Sequence, residues 1–251
     1  MKPSTSLSEG VQEFLLAFAD DEHMMGSHLA WWIGVAPFLE EDLSLCSIAQ
    51  DELGHAIALY ELLTDDVDRF ALRRSAEEYR SCSFVEIAMP KWEETLVRHW
   101  LYDVAEEIRW NALVDSSIPE VAMIAQRALT EEAFHRSHST LLLQRSLTGS
   151  LDAKTRLVAT METLLPQSMA IWSPVSGESE AIDASVLSLA SAQAASAYAE
   201  AVKSDLDGWG VVVNWEIDGA PKDDRLSRAD GFSEYLASLN LVLDLDPTTE
   251  W

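Results

Sequence analysis

The pair Glu52-x-x-His55 recurs as Glu132-x-x-His135, and each copy lies in a stretch whose apolar residues return every three or four positions. On a helix that spacing puts a carboxylate and an imidazole on one face. Leu45, Ile48 and Leu59 mark the face of the first pair, and Ile124, Ala128 and Leu142 that of the second. Two such pairs arise by chance roughly one time in ten, so their spacing alone is only moderate evidence. Their placement carries more weight: charged groups on the apolar side of two helices fit only a fold in which helices face one another and something inside balances the charge.

The rest of the chain supplies the other helices. Leu7 to about Val35 carries Leu15, Phe18, Ala19, Met25, Leu29 and Ile33 in helical rhythm, and Ala36-Pro37-Phe38 turns it into a second helix reaching about Thr64. Asp65 to Pro90 reads as a long crossover with a short helix near 68–80. A third helix spans about Lys91 to Asp115 with Leu96, Trp100, Trp110 and Val114 on its stripe. Ser116-Ser117-Ile118-Pro119 turns it into a fourth, which runs to about Leu147 and stops near Gly149. Two hairpins joined by a crossover predict an all-α, ferritin-like four-helix bundle in one domain. The core bundle is expected over about 7–148, with a helical extension over about 152–251. Helices are expected there at Asp152 to Trp172, bent at Pro166, at Ala184 to Leu206 and at Phe232 to Leu243, with a short extended piece at Val211 to Val213.

A length of 251 residues with 48% hydrophobic content is enough for a sizeable core. The net charge of −26 argues against nucleic acid as a partner, because a phosphate backbone requires a basic stripe, and it disfavours anionic membranes. No run reaches the length of a membrane span, and the first ten residues lack the basic start and apolar run of a secretory signal. A cytoplasmic location is expected. Cys46 and Cys82 have neither zinc-site spacing nor a disulfide framework.

The two remaining stripes carry acids of their own. Glu22 is in register with Phe18, Met25 and Leu29, and Asp103 with Leu96, Trp100 and Trp110. Groups at equal distance from a hairpin turn lie level across it. Glu22 and Glu52 centre on Pro37, and Asp103 and Glu132 centre between Ser117 and Ile118. Four buried carboxylates require cations, and few basic residues share these stripes; two divalent ions would balance them, with the imidazoles completing the coordination. Glu106 and Glu107 compete with Asp103 for its place, Glu107 being better suited to a supporting position. His23, His99 and His138 read as packed core histidines. Trp31, Trp32, Trp92, Trp100 and Trp110 read as core or as the lining of an aromatic pocket. Arg69, Arg73, Arg74 and Arg80 form the one dense basic cluster, either a phosphate site or a helix face pairing with Glu77 and Glu78.

Ala36-Pro37-Phe38-Leu39-Glu40-Glu41-Asp42-Leu43, Asp51-Glu52-Leu53-Gly54-His55-Ala56, Glu131-Glu132-Ala133-Phe134-His135 and the terminal Trp251 together resemble the ferritin-like subunits of the bacterial phenylacetyl-CoA epoxidase (monooxygenase) complex. The layout is most similar to that complex's structural subunit. The resemblance implies that the structural subunit has lost its metal ligands, whereas the catalytic one and the related benzoyl-CoA epoxidase keep them as Glu, Glu-x-x-His, Asp, Glu-x-x-His. Here that pattern falls on Glu22, Glu52, His55, Asp103, Glu132 and His135, all present. It implies two iron ions, with manganese open, and O2 reduced with electrons from a separate reductase. One oxygen atom would enter an aromatic acyl-CoA. Glu52 and Glu132 would bridge, and Glu22 and Asp103 would be terminal. The partners implied are a homologous ferritin-like subunit or a second copy of the chain. Two readings stand beside the oxygenase: a non-catalytic assembly subunit, opposed by the retained ligands, and a ferroxidase or peroxide scavenger, opposed by the long extension.

Overall fold

The helical rhythm resolves into two long hairpins. In a computed structural model that describes residues 7–215 and 224–245, α1 (Glu9–Ala30) turns into α2 (Leu39–Tyr60), and α5 (Trp92–Asn111) turns into α6 (Pro119–Leu147). The crossover holds α3 (Val67–Leu72), a 3-10 turn at Ala76–Glu78 and α4 (Ser83–Glu86). Beyond the bundle come α7 (Leu151–Ser168), which tightens into a 3-10 turn at Met169–Trp172 after Pro166, then α8 (Glu178–Asp183), α9 (Ser191–Gly208), α10 (Phe232–Leu239) and α11 (Leu241–Leu245). Every regular element among the described residues is a helix, and none is long and apolar enough to cross a membrane.

Local chemistry sets these boundaries. Glu40, Glu41 and Asp42 fill the first turn of α2, where carboxylates complement the positive end of the helix dipole, and Pro119 opens α6 where its missing N–H costs nothing. The Ser150 hydroxyl accepts from the Ala153 N–H at 3.2 Å and caps α7. In the crossover, Ser75 and Glu78 form a capping box.

Three expectations are corrected. The helix read from Ala184 does not start there: Ser185 has φ +57, and the chain folds back on the α5–α6 turn through Ser117 N to Ser185 O (2.9 Å) and Ser188 N to Ala112 O (2.9 Å) before α9 begins. Val211 to Val213 forms no strand. The arginine cluster forms no ion pair with the side chains of Glu77 and Glu78 among the described residues. Arg74 reaches back to the buried Asp20 at 2.5 Å, Arg80 pairs with Glu13 at 3.3 Å, and Arg73 meets Asp244. Trp251 lies outside the described residues.

α1 packs on α2, α5 on α6, and α2 on α6, while α7 and α9 cover the outer side of α5 and α8 covers α1. That cover explains why α5 is buried on every side from Thr95 to Glu106 rather than along one stripe. The apolar core forms two clusters, one including Met25, Ile48, Ala49 and Leu143, the other Phe18, Ala56, Trp110 and Ala128. On each bundle helix the change from one cluster to the other brackets an acidic residue. Gly26 brings α1 and α2 together at this level; a Cβ there would meet Leu53 Cγ at 2.8 Å and Glu52 Cβ at 3.0 Å.

Candidate metal centre

Between the two apolar clusters lies a charged layer built by all four bundle helices. Potential ligand atoms of Glu22, Glu52, His55 and Glu106 lie within 4.8 Å of one another, and so do those of Glu52, Glu132 and His135. Glu52 belongs to both groups, the position a bridging carboxylate would take. Every residue of the two groups is buried.

The histidines have two distinct faces. His55 Nδ1 points into the layer, 3.2 Å from Glu22, 3.7 Å from Glu132 and 3.8 Å from Glu52. Its Nε2 lies 2.8 Å from Glu131. His135 Nδ1 lies 3.1 Å from Glu132 and 3.7 Å from Glu52, and its Nε2 is 3.2 Å from Asp51. Each imidazole therefore leans on the acid that immediately precedes the glutamate of the opposite helix. A carboxylate holding the outer nitrogen fixes the tautomer and turns the inner nitrogen toward a cation. Sequence reasoning did not single out Asp51 and Glu131, although the signal is there: an acid stands directly before each Glu-x-x-His.

Asp103 is the expected ligand that the structure sets apart. Its Oδ1 lies 2.9 Å from His99 Nδ1, one turn back on the same helix, and it is in neither ligand group. Glu106 is the α5 residue within those groups, and both Asp103 oxygens, like both of Glu106, are buried without a hydrogen-bond partner among the described residues. The physical reason is rotational: equal distance from a turn fixes height along the axis but leaves the angle free, and three residues shift the direction by about 60°. The extra methylene of Glu106 also lengthens its reach. Glu22, Glu52, His55, Glu132 and His135 are brought together. Tyr102 adds a hydrogen bond to Glu22 at 2.9 Å, and of the five candidate pocket tryptophans Trp110 lies against His55, ring centres 5.4 Å apart.

Both oxygens of Glu52, both of Glu106 and Oε2 of Glu132 are buried without a hydrogen-bond donor among the described residues. Protons respond to this crowding. Burial, with Glu132 and Glu22 nearby, raises the Glu52 carboxyl to about 8, and burial with Glu22, Glu132 and Glu52 raises Glu106 well above its usual range. Burial also opposes the charge on Glu22, but the neighbouring Glu106 and His55 hold it at about 2. Burial disfavours the imidazolium forms, yet Glu22 and Glu52 raise His55 to about 11, and Glu132 raises His135 to about 10. Protons thus hold the place of cations. Four carboxylates with two inward imidazole nitrogens form a hard, oxygen-rich donor set that fits a pair of divalent first-row ions.

The family model for the phenylacetic acid catabolic protein matches residues 2–251 of this sequence. The chain belongs to that family. It is also similar to one subunit of the 1,2-phenylacetyl-CoA epoxidase of Escherichia coli (strain K12), at 27% identity over 142 residues, covering 55% of this chain and 57% of the relative. The match thus spans little more than half the length of that curated relative.

Proposed function

We propose that the chain is a di-metal carboxylate oxygenase subunit of phenylacetate catabolism, with Glu22, Glu52, His55, Glu106, Glu132 and His135 as ligands and an aromatic acyl-CoA as substrate. The observation that carries the reading is Glu52, shared by two donor groups, with neither oxygen hydrogen-bonded among the described residues. Family membership and the relative's printed activity support the substrate class. Bound iron, or manganese, would supply reductive O2 activation. The protein's own groups do the rest. Asp51 and Glu131 orient the imidazoles, Tyr102 holds Glu22 in place, and the apolar clusters above and below exclude water. In the net reaction substrate, O2, two electrons and two protons give oxygenated substrate and one water, with the electrons drawn from a separate reductase.

A partner subunit is part of this reading. Trp31, Ile33, Val35, Phe38, Leu39 and Leu43 are large, exposed and close in sequence along the α1–α2 turn and the start of α2, the kind of apolar patch that marks an interface. Such a patch also suits an assembly subunit, and the two are separated by chemistry. Metal-loaded protein supplied with a reductase and a panel of aromatic acyl-CoA thioesters and free acids is expected to consume O2 and yield an oxygenated product with a thioester. Metal binding without oxidation of any panel member would overturn the oxygenase reading, and rapid Fe(II) oxidation without organic substrate would favour a ferroxidase.

A further inference from the structure

Away from the charged layer, one buried arginine lacks an acid. Arg74, Arg109, Arg225 and Arg228 each pair with a buried carboxylate. Arg98, on α5, is 1% exposed and has no ion pair among the described residues. Of the donors on its guanidinium, Nη1 alone has an acceptor there, the Ile87 carbonyl at 2.5 Å. Glu94, one turn earlier on α5, is the acid beside it, but that carboxylate meets Lys91 Nζ at 2.8 Å and forms no ion pair with Arg98.

A second polar atom is left over next to it. His28 on α1 leans on the backbone of Glu86, the residue before Ile87, so both side chains meet the same piece of chain between α4 and α5. His28 Nε2 is buried without a hydrogen-bond partner among the described residues. The ring stacks on Tyr235 of α10, with centres 4.2 Å apart and planes 9° from parallel. Burial and the Arg98 charge hold His28 well below its usual range, so it is neutral near pH 7, whereas burial lowers Arg98 only to about 10 and leaves it a cation.

Simple packing does not account for Arg98. A buried charge with one hydrogen bond keeps most of its desolvation cost, and a methionine would fill the same space at the loss of that one bond. Acids are abundant in a chain of net charge −26, yet none is set against this guanidinium. Its free edge, Nε with Nη2, offers two parallel donors matched to the two oxygens of a carboxylate. One cation beside a neutral imidazole, with Glu94 nearby, suits a single negative charge and disfavours a dianion such as phosphate.

We propose that Arg98, beside the stacked His28 and Tyr235, is a binding site for a small organic monocarboxylate. Neither Arg98 nor His28 belongs to the ligand groups of the charged layer, and the site stands independently of the oxygenase reading.

The test uses metal-free full-length protein labelled with nitrogen-15 arginine. Acetate and benzoate are titrated in at constant ionic strength, with chloride and phosphate as separate arms, and the Arg98 Nε–H resonance is assigned by its loss in Arg98→Lys. Each carboxylate is expected to move that resonance saturably, leaving those of Arg74 and Arg109 in place, and to raise the wild-type melting temperature. Arg98→Met is expected to bind benzoate at least about tenfold more weakly and to show no rise. No saturable shift with either carboxylate would overturn the proposal, as would equal affinity in Arg98→Met. An equal response to chloride or phosphate would overturn the assignment to carboxylates. The wild-type titration decides the matter even where Arg98→Met does not fold.

Discussion

Three consecutive residues of α1 place buried acids in two kinds of surroundings. Asp20 is held by Arg74, by the Tyr60 hydroxyl at 2.5 Å and by the Arg80 N–H at 2.7 Å. Asp21 is held by Arg109 at 2.9 Å, Arg225 at 3.0 Å and the Cys82 N–H at 2.8 Å. Farther along, Glu86 is met by Arg228 at 2.5 Å and Ser81 at 2.6 Å. Glu22, next after Asp21, faces Glu52, Glu106 and Glu132, and none of these four has a lysine or arginine ion pair among the described residues. Among the described residues arginines thus meet Asp20, Asp21 and Glu86, whereas no lysine or arginine pairs with the acids of the charged layer or with Asp103 beside it. The omission of such pairs in one layer marks that layer as a place for cations from outside.

The contrast is broken most severely by removing an arginine. Arg74→Met leaves Asp20 short of its charge partner, and urea unfolding is expected to show a loss of about 3–5 kcal/mol; the metal content of the surviving folded protein should be unchanged.

In the other layer, acidity rather than structure should decide stability. Between about pH 4.5 and 8 the folded metal-free protein keeps a proton on Glu52 that the unfolded chain releases, so stability falls as pH rises. His55 and His135 act in the same direction: their stabilisation is complete below 6.5 and is lost as pH rises through about 10 and 11. Unfolding free energies from urea titrations across this range are expected to decline by an amount on the order of a few kcal/mol. Glu52→Gln should flatten the part below about pH 8, and bound metal should flatten the whole.

Asp51→Asn and Glu131→Gln should each weaken metal binding by about 10–100-fold, measured by competition with a chelator, with little change in folding. An effect of similar size is expected at Gly26→Ala. Its new Cβ must displace Leu53 and Glu52, and a loss of about 1–3 kcal/mol in urea unfolding, with weaker metal binding, would show that close approach of α1 and α2 sets the position of Glu52.

Much of this was legible in the sequence because it is periodic. The four bundle helices, their hairpin pairing and five of the six positions proposed as donors follow from apolar rhythm and Glu-x-x-His spacing. What was not legible depends on rotation and distance. Asp103 and Glu106 differ by less than one turn, and only packing shows that Asp103 turns toward His99. By sequence Arg74 suits neighbours such as Glu77, but its partner, Asp20, lies 54 positions away. The all-round burial of α5 comes from α7 and α9, which are remote in the chain.

Metal analysis of purified, reconstituted protein tests the central claim most directly, with Glu106→Ala and Asp103→Ala beside the wild type. The account predicts about two iron or manganese ions per chain in the wild type, their loss in Glu106→Ala and their retention in Asp103→Ala. A wild type that takes up no metal, or an Asp103→Ala variant that loses it while Glu106→Ala keeps it, would contradict the account.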